Sequence, residues 1–199
     1  MKLKINSESP PKDKIKAAVN ALKEGKTVLY PTDTVYGIGA NIFDLEAVQK
    51  VFSIKKRSLN KPLSVCVSKI EDIENIAYLN KDLKRLISDI FPGPFTVILN
   101  KKENVPSILT SGGKTVGIRI PDNMVCRELS REFPITTTSA NISGKPVPES
   151  VAGVLKQLGD QIDLILDAGI CRHGIPSTVI DMTVSPPKIV RKGAGEPPF

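Results

Sequence analysis

The feature that most constrains this chain is a break in an otherwise regular alternation of helices and strands. Amphipathic helices and short β-branched strands interleave along it, yet Phe95 to Leu99 and Thr115 to Ile120 are separated by a polar connection too poor in apolar period to be a helix. Strict strand-helix alternation therefore fails, and a mixed α/β sheet is expected rather than a fully parallel one.

The local signals for the elements are specific. Asp13 to Glu24 places Ile15, Ala18, Val19 and Leu22 on one helical face, with Gly25 positioned to end it. Asp44 can N-cap a helix carrying Val48, Val51 and Phe52, and Asn80 can cap another with a stripe of Leu83, Leu86, Ile87 and Ile90. Further helices are expected near Asn123 to Arg131 and Glu149 to Leu158. Strands are expected at Thr27 to Tyr30, Leu63 to Val67, Leu164 to Leu166, Ser177 to Asp181 and Lys188 to Val190, with the turn Phe91-Pro92-Gly93-Pro94 opening the strand at Phe95. Both ends, Lys2 to Lys12 and Gly193 to Phe199, read as loosely tethered, and no linker divides the chain, so one domain with a core of about 13–195 is expected.

Composition narrows the function classes. Lys and Arg number 28 against 21 Asp and Glu, a net charge of +7, which favours an anionic partner such as a nucleotide, a nucleic acid or a phosphorylated metabolite. Cys66, Cys126 and Cys171 are odd in number and far apart, and there is no Cys-x-x-Cys pair or His cluster. Neither a disulfide framework nor a structural zinc site is indicated, and a reducing, cytoplasmic setting fits. No stretch approaches the roughly 18 apolar residues of a membrane span, and the amino terminus lacks the apolar region of a signal peptide, so a soluble, unprocessed protein is expected.

Three polar concentrations are candidates for ligand binding. The stretch Tyr30 to Ala40 runs from a strand into Thr32, Asp33, Thr34 and Tyr36, then Gly37 and Gly39, which could let backbone approach a ligand; it reads as either a binding turn or an ordinary surface turn. Lys55-Lys56-Arg57-Ser58-Leu59-Asn60-Lys61 holds four cations and no acid, suited to phosphates but equally to a solvated connection. Thr136 to Gly144 is dense in small hydroxyls and ends in a glycine turn. Two decoys fail: Gly25-Lys26-Thr27 and Gly113-Lys114-Thr115 lack the earlier glycine of a P-loop and lead into strands rather than helices. No dinucleotide fingerprint or nucleophile elbow is present. His173, the only histidine, lies in a Gly-rich loop and reads as a surface residue rather than a catalytic base.

Taken together, Pro31-Thr32-Asp33-Thr34-Val35-Tyr36-Gly37, Lys55-x-Arg57 with Pro62-Leu63, and Pro92-Gly93-Pro94 occur in an order that carries a resemblance. Gly117-x-Arg119-x-Pro121, Ser139-Ala140-Asn141-x-Ser143-Gly144, Ser177-Thr178-Val179 and Arg191-x-Gly193 complete it. The pattern resembles the YrdC family of threonylcarbamoyl-AMP synthases over about residues 13–195. The resemblance implies a twisted open mixed sheet with flanking helices around a positively charged cavity. It also implies an enzyme joining L-threonine, bicarbonate and ATP, with Mg²⁺ carried on the phosphates and no protein metal site. The product would pass to a downstream threonylcarbamoyl-transferase complex that modifies adenosine 37 of tRNA.

Carried over by motif, Lys55 and Arg57 are the catalytic candidates. Lys55, Arg57, Lys61, Ser139, Asn141 and Arg191 would hold ATP, with Thr115 nearby. Thr34, Tyr36, Cys66, Arg119, Thr137 and Ser177 would face L-threonine, Arg119 pairing with its carboxylate. The chain departs from many relatives at Lys56 and Ser58, where those have Gly and Pro, and at Cys66, where some have His. Its end at Phe199 reads as the short, single-domain form. The alternative function is a double-stranded RNA or tRNA-binding module, since the charge suits shape-based duplex binding while 5% aromatic content without Trp argues against single-strand recognition.

Overall fold

The computed structural model describes residues 1–171 and 174–198, so His173 lies outside the described residues. In chain order the elements are β1 (Lys2–Lys4), α1 (Lys12–Lys23), β2 (Val28–Tyr30), β3 (Gly37–Gly39), α2 (Leu45–Ile54), β4 (Ser64–Cys66), α3 (Ile70–Ile73) and α4 (Lys81–Ser88). They continue with β5 (Phe95–Asn100), β6 (Thr115–Arg119), α5 (Met124–Leu129), β7 (Ile135–Ser139), α6 (Val151–Leu158), β8 (Leu164–Asp167), β9 (Thr178–Asp181) and β10 (Lys188–Arg191).

The strands form one mixed sheet in the order β1-β8-β2-β3-β7-β4-β6-β5-β9-β10. The helix-free connection between β5 and β6 has the expected consequence: the two are antiparallel neighbours, Val97 opposite Ile118 and Asn100 opposite Thr115. By contrast, β4 and β6 run parallel, as do β5 and β9, each pair separated in sequence by helical segments.

Four helices, α2, α4, α5 and α6, begin where a side chain can satisfy their free amides. Asp44 accepts from the Ala47 amide, Asn80 from Leu83, Ser150 from Gly153, and Asn123 from both Val125 and Cys126. The helices cover both faces of the sheet. Strand β2 shows this directly, because Leu29 enters the core with Val48, Val51 and Phe52 of α2, while Val28 and Tyr30 enter the core with Leu22 of α1 and Cys126 and Leu129 of α5.

Three expectations are corrected. Gly37 and Gly39 are strand residues rather than turn residues: they form β3 opposite β2 and leave room for a buried ring. A Cβ at Gly39 would lie 2.9 Å from Tyr30 Cε1 and 3.3 Å from Ile135 Cδ1, and one at Gly37 would lie 3.1 Å from Tyr30 Cζ. The Tyr30 hydroxyl then donates to the Thr136 carbonyl at 3.1 Å, tying β2 to β7 across β3. Secondly, the amino terminus is not loose: β1 pairs in parallel with β8, Leu3 opposite Leu166, and went unread because an edge strand with its lysines in water shows no apolar run. Thirdly, the tail after β10 is tied down through Thr178, whose hydroxyl accepts from the Gly193 amide at 3.0 Å and the Gly195 amide at 3.2 Å.

A methyl at Gly39 must displace the Tyr30 ring from a site closed on all sides. Gly39→Ala is expected to cost about 1–3 kcal/mol in urea unfolding; a midpoint equal to that of the parent protein would show that the ring has room to shift.

Candidate active site

A cavity of about 130 Å³ opens where the ends of several strands meet, lined by Val35, Arg57, Ser64, Thr96, Arg119 and Thr137, with Ser139, Ser177 and Arg191 also on its wall. Its floor is set by the sheet. A Cβ at Gly117 would stand 2.9 Å from Ser64 Oγ and 3.3 Å from Thr96 Cγ2, so the absence of a side chain there keeps the space between three adjacent strands open.

The turn between β2 and β3 forms one side. Thr32 Oγ1 donates to the Val35 carbonyl at 2.7 Å and accepts from the Thr34 and Val35 amides at 3.1 and 3.2 Å. With the Thr32 proton committed, Thr34 Oγ1 must be the donor in their 3.0 Å contact. Thr34 Oγ1 in turn accepts from Arg119 Nη2 at 3.0 Å, and the same nitrogen donates to Asp33 Oδ1 at 2.9 Å. Asp33 Oδ2 accepts from the Asp122 amide at 3.3 Å. Asp33 is 4% exposed and Arg119 6%, so this is a buried ion pair that aims the guanidinium from behind. Arg119 lines the cavity, and its Nε is buried without a hydrogen-bond partner, a donor that the fold leaves unpaired.

Two further arginines arrive from other segments. Arg57 donates from Nε to the Lys61 carbonyl at 3.0 Å and from Nη2 to the Pro62 carbonyl at 2.8 Å, so the basic loop folds back to orient its own guanidinium. Arg191, at the end of β10, donates from Nη2 to the Ser177 carbonyl at 2.7 Å and to Ser177 Oγ at 3.3 Å. Ser177 Oγ and Thr96 Oγ1 share a 2.8 Å hydrogen bond. The chain reaches this geometry at Gly193, where a Cβ would lie 2.2 Å from the Pro176 carbonyl oxygen.

Among the described residues no carboxylate lines the cavity, and its cations press on one another. Burial, then the charge of Arg191, lowers the pKa of Arg57; burial, then the charge of Arg119, lowers that of Arg191. Lys55 feels this most, pushed down to about 7 by burial and then by Arg57. The arrangement is set to gain from an incoming anion.

Six of the sequence-predicted residues meet at the cavity: Arg57, Arg119, Thr137, Ser139, Ser177 and Arg191. Three others stand immediately behind it. Thr34 is beneath Arg119, and Lys55 and Asn141 are buried behind Ser139, whose Oγ donates to Asn141 Oδ1 at 2.6 Å. The remaining four do not line the cavity. Thr115 is at the opposite end of β6 from Arg119, four residues or about 13 Å away along the strand. The Tyr36 ring lies in the core, its hydroxyl donating to the Gly169 carbonyl at 2.8 Å and accepting from the Ala168 amide at 2.9 Å, and burial pushes its pKa up. The Cys66 thiol is buried against α5, 3.7 Å from Ser130 Oγ, and burial pushes its pKa up to about 12. Lys61 contributes its carbonyl to Arg57, and its side chain is exposed.

Residues that sequence reasoning missed are Ser64 and Thr96 on the wall and Asp33 as the partner of Arg119. Their signal was a polar side chain inside an otherwise apolar strand, Ser64 in Leu63–Val67 and Thr96 in Phe95–Leu99. The departure at Lys56 also has a location: its φ is +48°, a left-handed conformation that glycine adopts without strain.

Comparison with known proteins places the chain as a whole. A Sua5/YciO/YrdC family model, described as telomere recombination, matches residues 20–193. A Methanocaldococcus jannaschii relative bearing the name "Putative threonylcarbamoyl-AMP synthase" is 47% identical over 156 residues, 78% of this chain and 74% of that protein. The threonylcarbamoyl-AMP synthase of Pyrococcus abyssi is 40% identical over 183 residues, 90% of this chain, which spans only 54% of that protein. The crystal structure of P. abyssi Sua5 complexed with L-threonine superposes with a TM-score of 0.92 at 38% identity, covering 97% of this chain and 57% of that one. With a family model covering most of its length and relatives of this similarity, the chain belongs to the Sua5/YciO/YrdC family.

Proposed function

We propose that the chain is a threonylcarbamoyl-AMP synthase, taking L-threonine, bicarbonate and ATP to threonylcarbamoyl-adenylate and pyrophosphate. The observation that carries this reading is a cavity walled by three arginines from separate segments and by no carboxylate, in a chain whose relatives bear that name. The reaction has two parts. The threonine amine and bicarbonate condense to a carbamate with loss of water. A carbamate oxygen then attacks the α-phosphorus of ATP as the bond to the β-phosphate breaks and pyrophosphate leaves. Both parts bring anions together, so charge neutralisation and alignment matter more than a strong side-chain base.

The residues divide accordingly. Arg119, held by Asp33 with its Nε open, suits the carboxylate of threonine, and Thr137, Ser177, Ser64 and Thr96 offer hydroxyls around it. A cavity of about 130 Å³ is well below the roughly 300–1,000 Å³ that encloses a larger ligand, so it suits the amino acid while the nucleotide lies across its mouth. Arg57, Arg191 and Ser139, also on the wall, suit the phosphates. ATP would arrive with Mg²⁺ on its phosphates; the wall itself, rich in guanidinium groups, suits anions. The product would serve tRNA modification through a partner enzyme, and the chain is read as one domain. Direct binding of tRNA or double-stranded RNA is the alternative role for the positive charge.

The test is pyrophosphate release with each substrate omitted in turn. Release is expected only when threonine, bicarbonate and ATP are all present, and release that ignores threonine would end the synthase reading. Arg57→Ala removes a side chain that hydrogen-bonds to the backbone carbonyls of Lys61 and Pro62, and should abolish release while the protein stays folded. Arg119→Ala should abolish it too, and should also cost about 3–5 kcal/mol of stability by stranding the Asp33 carboxylate; an active Arg57→Ala enzyme would remove that residue from the phosphate site.

Lys55 adds a pH dependence. Its pKa near 7 in the free protein is depressed by burial and by Arg57, the charged group acting on it, with Arg191 acting in turn on Arg57; Ser139 and Asn141 carry no charge. Phosphates docking beside Arg57 offset that repulsion and raise the Lys55 pKa, so binding takes up a proton. ATP affinity is therefore expected to be greatest below pH 7 and to weaken, by up to about tenfold per pH unit, as pH rises above it. Calorimetry in buffers of different ionisation enthalpy measures the proton uptake directly; zero uptake at pH near 8 contradicts this account.

A further inference from the structure

An ammonium has three N–H donors, and at Lys55 all three have protein acceptors. Nζ donates to the Ser139 carbonyl, to the Asn141 carbonyl at 2.8 Å and to Asn141 Oδ1 at 3.2 Å. The residue is 1% exposed, and its own carbonyl accepts from the Ser143 amide at 2.8 Å. Side chain and main chain of this one residue therefore hold the loop from Ser139 to Ser143 against the end of α2. Asn141 is saturated in the same way: its Oδ1 accepts from Lys55 Nζ and Ser139 Oγ, while Nδ2 donates to the Ile142 carbonyl at 3.1 Å and the Lys145 carbonyl at 2.7 Å.

We infer that Lys55 is a positioning residue rather than a phosphate ligand: its ammonium builds the loop that presents Ser139 to the nucleotide, and Arg57 makes the phosphate contact that the adjacent basic run suggests for both. The inference rests on the proposed nucleotide site for its consequence, but the loop-building role is a property of the free protein. Arg57 and Lys55 differ in one physical respect. The guanidinium has five donors, spends two on the Lys61 and Pro62 carbonyls and lines the cavity, whereas the ammonium spends every donor inward. Buried donors and acceptors that are fully matched to one another resist exchange for a ligand, because breaking the set leaves several polar atoms unpaired at once.

The experiment has a ligand-free arm and a ligand arm. In the free protein, Lys55→Met should accelerate hydrogen exchange at the Asn141 and Ser143 amides by about tenfold or more, with the strands of the sheet unchanged. Unchanged exchange in a folded Lys55→Met protein overturns the inference. In the wild-type protein below pH 7, where Lys55 is an ammonium, its ¹⁵N-labelled group should show slowly exchanging protons that persist when the site is saturated with inorganic pyrophosphate. Loss of that protection, with a chemical shift that follows pyrophosphate occupancy to a phosphate-bound value, also overturns it. The wild-type arm decides the matter where Lys55→Met fails to fold. If pyrophosphate does not bind at all, the nucleotide reading fails, while the exchange arm still decides whether Lys55 holds the loop. Where the variant is active, a positioning role predicts an ATP KM raised by about tenfold or more and incomplete rescue by Lys55→Arg, whose planar fork cannot converge on the same three oxygens.

Discussion

The site depends on one buried ion pair. Arg119 and Asp33 are separated by 86 residues, and their 2.9 Å contact joins the turn after β2 to the end of β6. A buried pair is poor evidence of added stability, since desolvation offsets much of the attraction. Its value here is directional. Asp33 and Thr34 hold one nitrogen of the guanidinium, while Arg119 lines the cavity with its Nε unmatched. The Thr32–Thr34–Val35 hydrogen bonds then fix the turn, so the acceptors that grip Arg119 cannot move with it.

Around that fixed point the chain assembles positive charge without a lining carboxylate to balance it. Lys55, Arg57, Arg119 and Arg191 come from a helix end, a loop and two strand ends, and neighbouring members depress each other's affinity for protons. Each is anchored differently. Arg119 has a carboxylate, Arg57 and Arg191 have carbonyls, and Lys55 has a complete set of three acceptors. Cations held in this way are preorganised: they incur their mutual repulsion and desolvation during folding, and a bound anion relieves it. That is an arrangement for neutralising charge as phosphates and carboxylates meet, not for abstracting a proton.

Legibility in the sequence followed physical scale. The helices at Lys12–Lys23, Leu45–Ile54 and Lys81–Ser88 were plain because apolar periodicity, with an Asp or Asn cap on the last two, is a local property. Motif order pointed to Arg57, Ser139 and Arg191, which do meet. Tyr36 and Lys61 belong to the polar motifs, Cys66 stands where some relatives have His, and Thr115 was placed nearby, but a place in a motif says little about which face a side chain takes. Thr115 and Arg119 share a strand yet stand at its two ends. Cys66 and Ser64 share another; Ser64 reaches the cavity wall while the Cys66 thiol turns against Ser130 beneath α5. The short strands β1 and β3 were missed because neither has an apolar run: one is an exposed lysine-bearing edge and the other is Gly-Ile-Gly.

The sequence by itself determined the mixed α/β class, the helix-free connection between β5 and β6, the caps at Asp44 and Asn80 and the concentration of cations at Lys55 to Lys61, because each rests on the spacing of neighbouring residues. Only the tertiary structure decided what Gly37, Gly39, Asp33 and Lys55 are for. The two glycines clear space for Tyr30, Asp33 aims a guanidinium from another strand, and Lys55 spends its donors on a loop more than 80 residues away. These roles are set by partners distant in the chain, and a steric gap or a filled set of hydrogen-bond donors exists only once those partners are in contact.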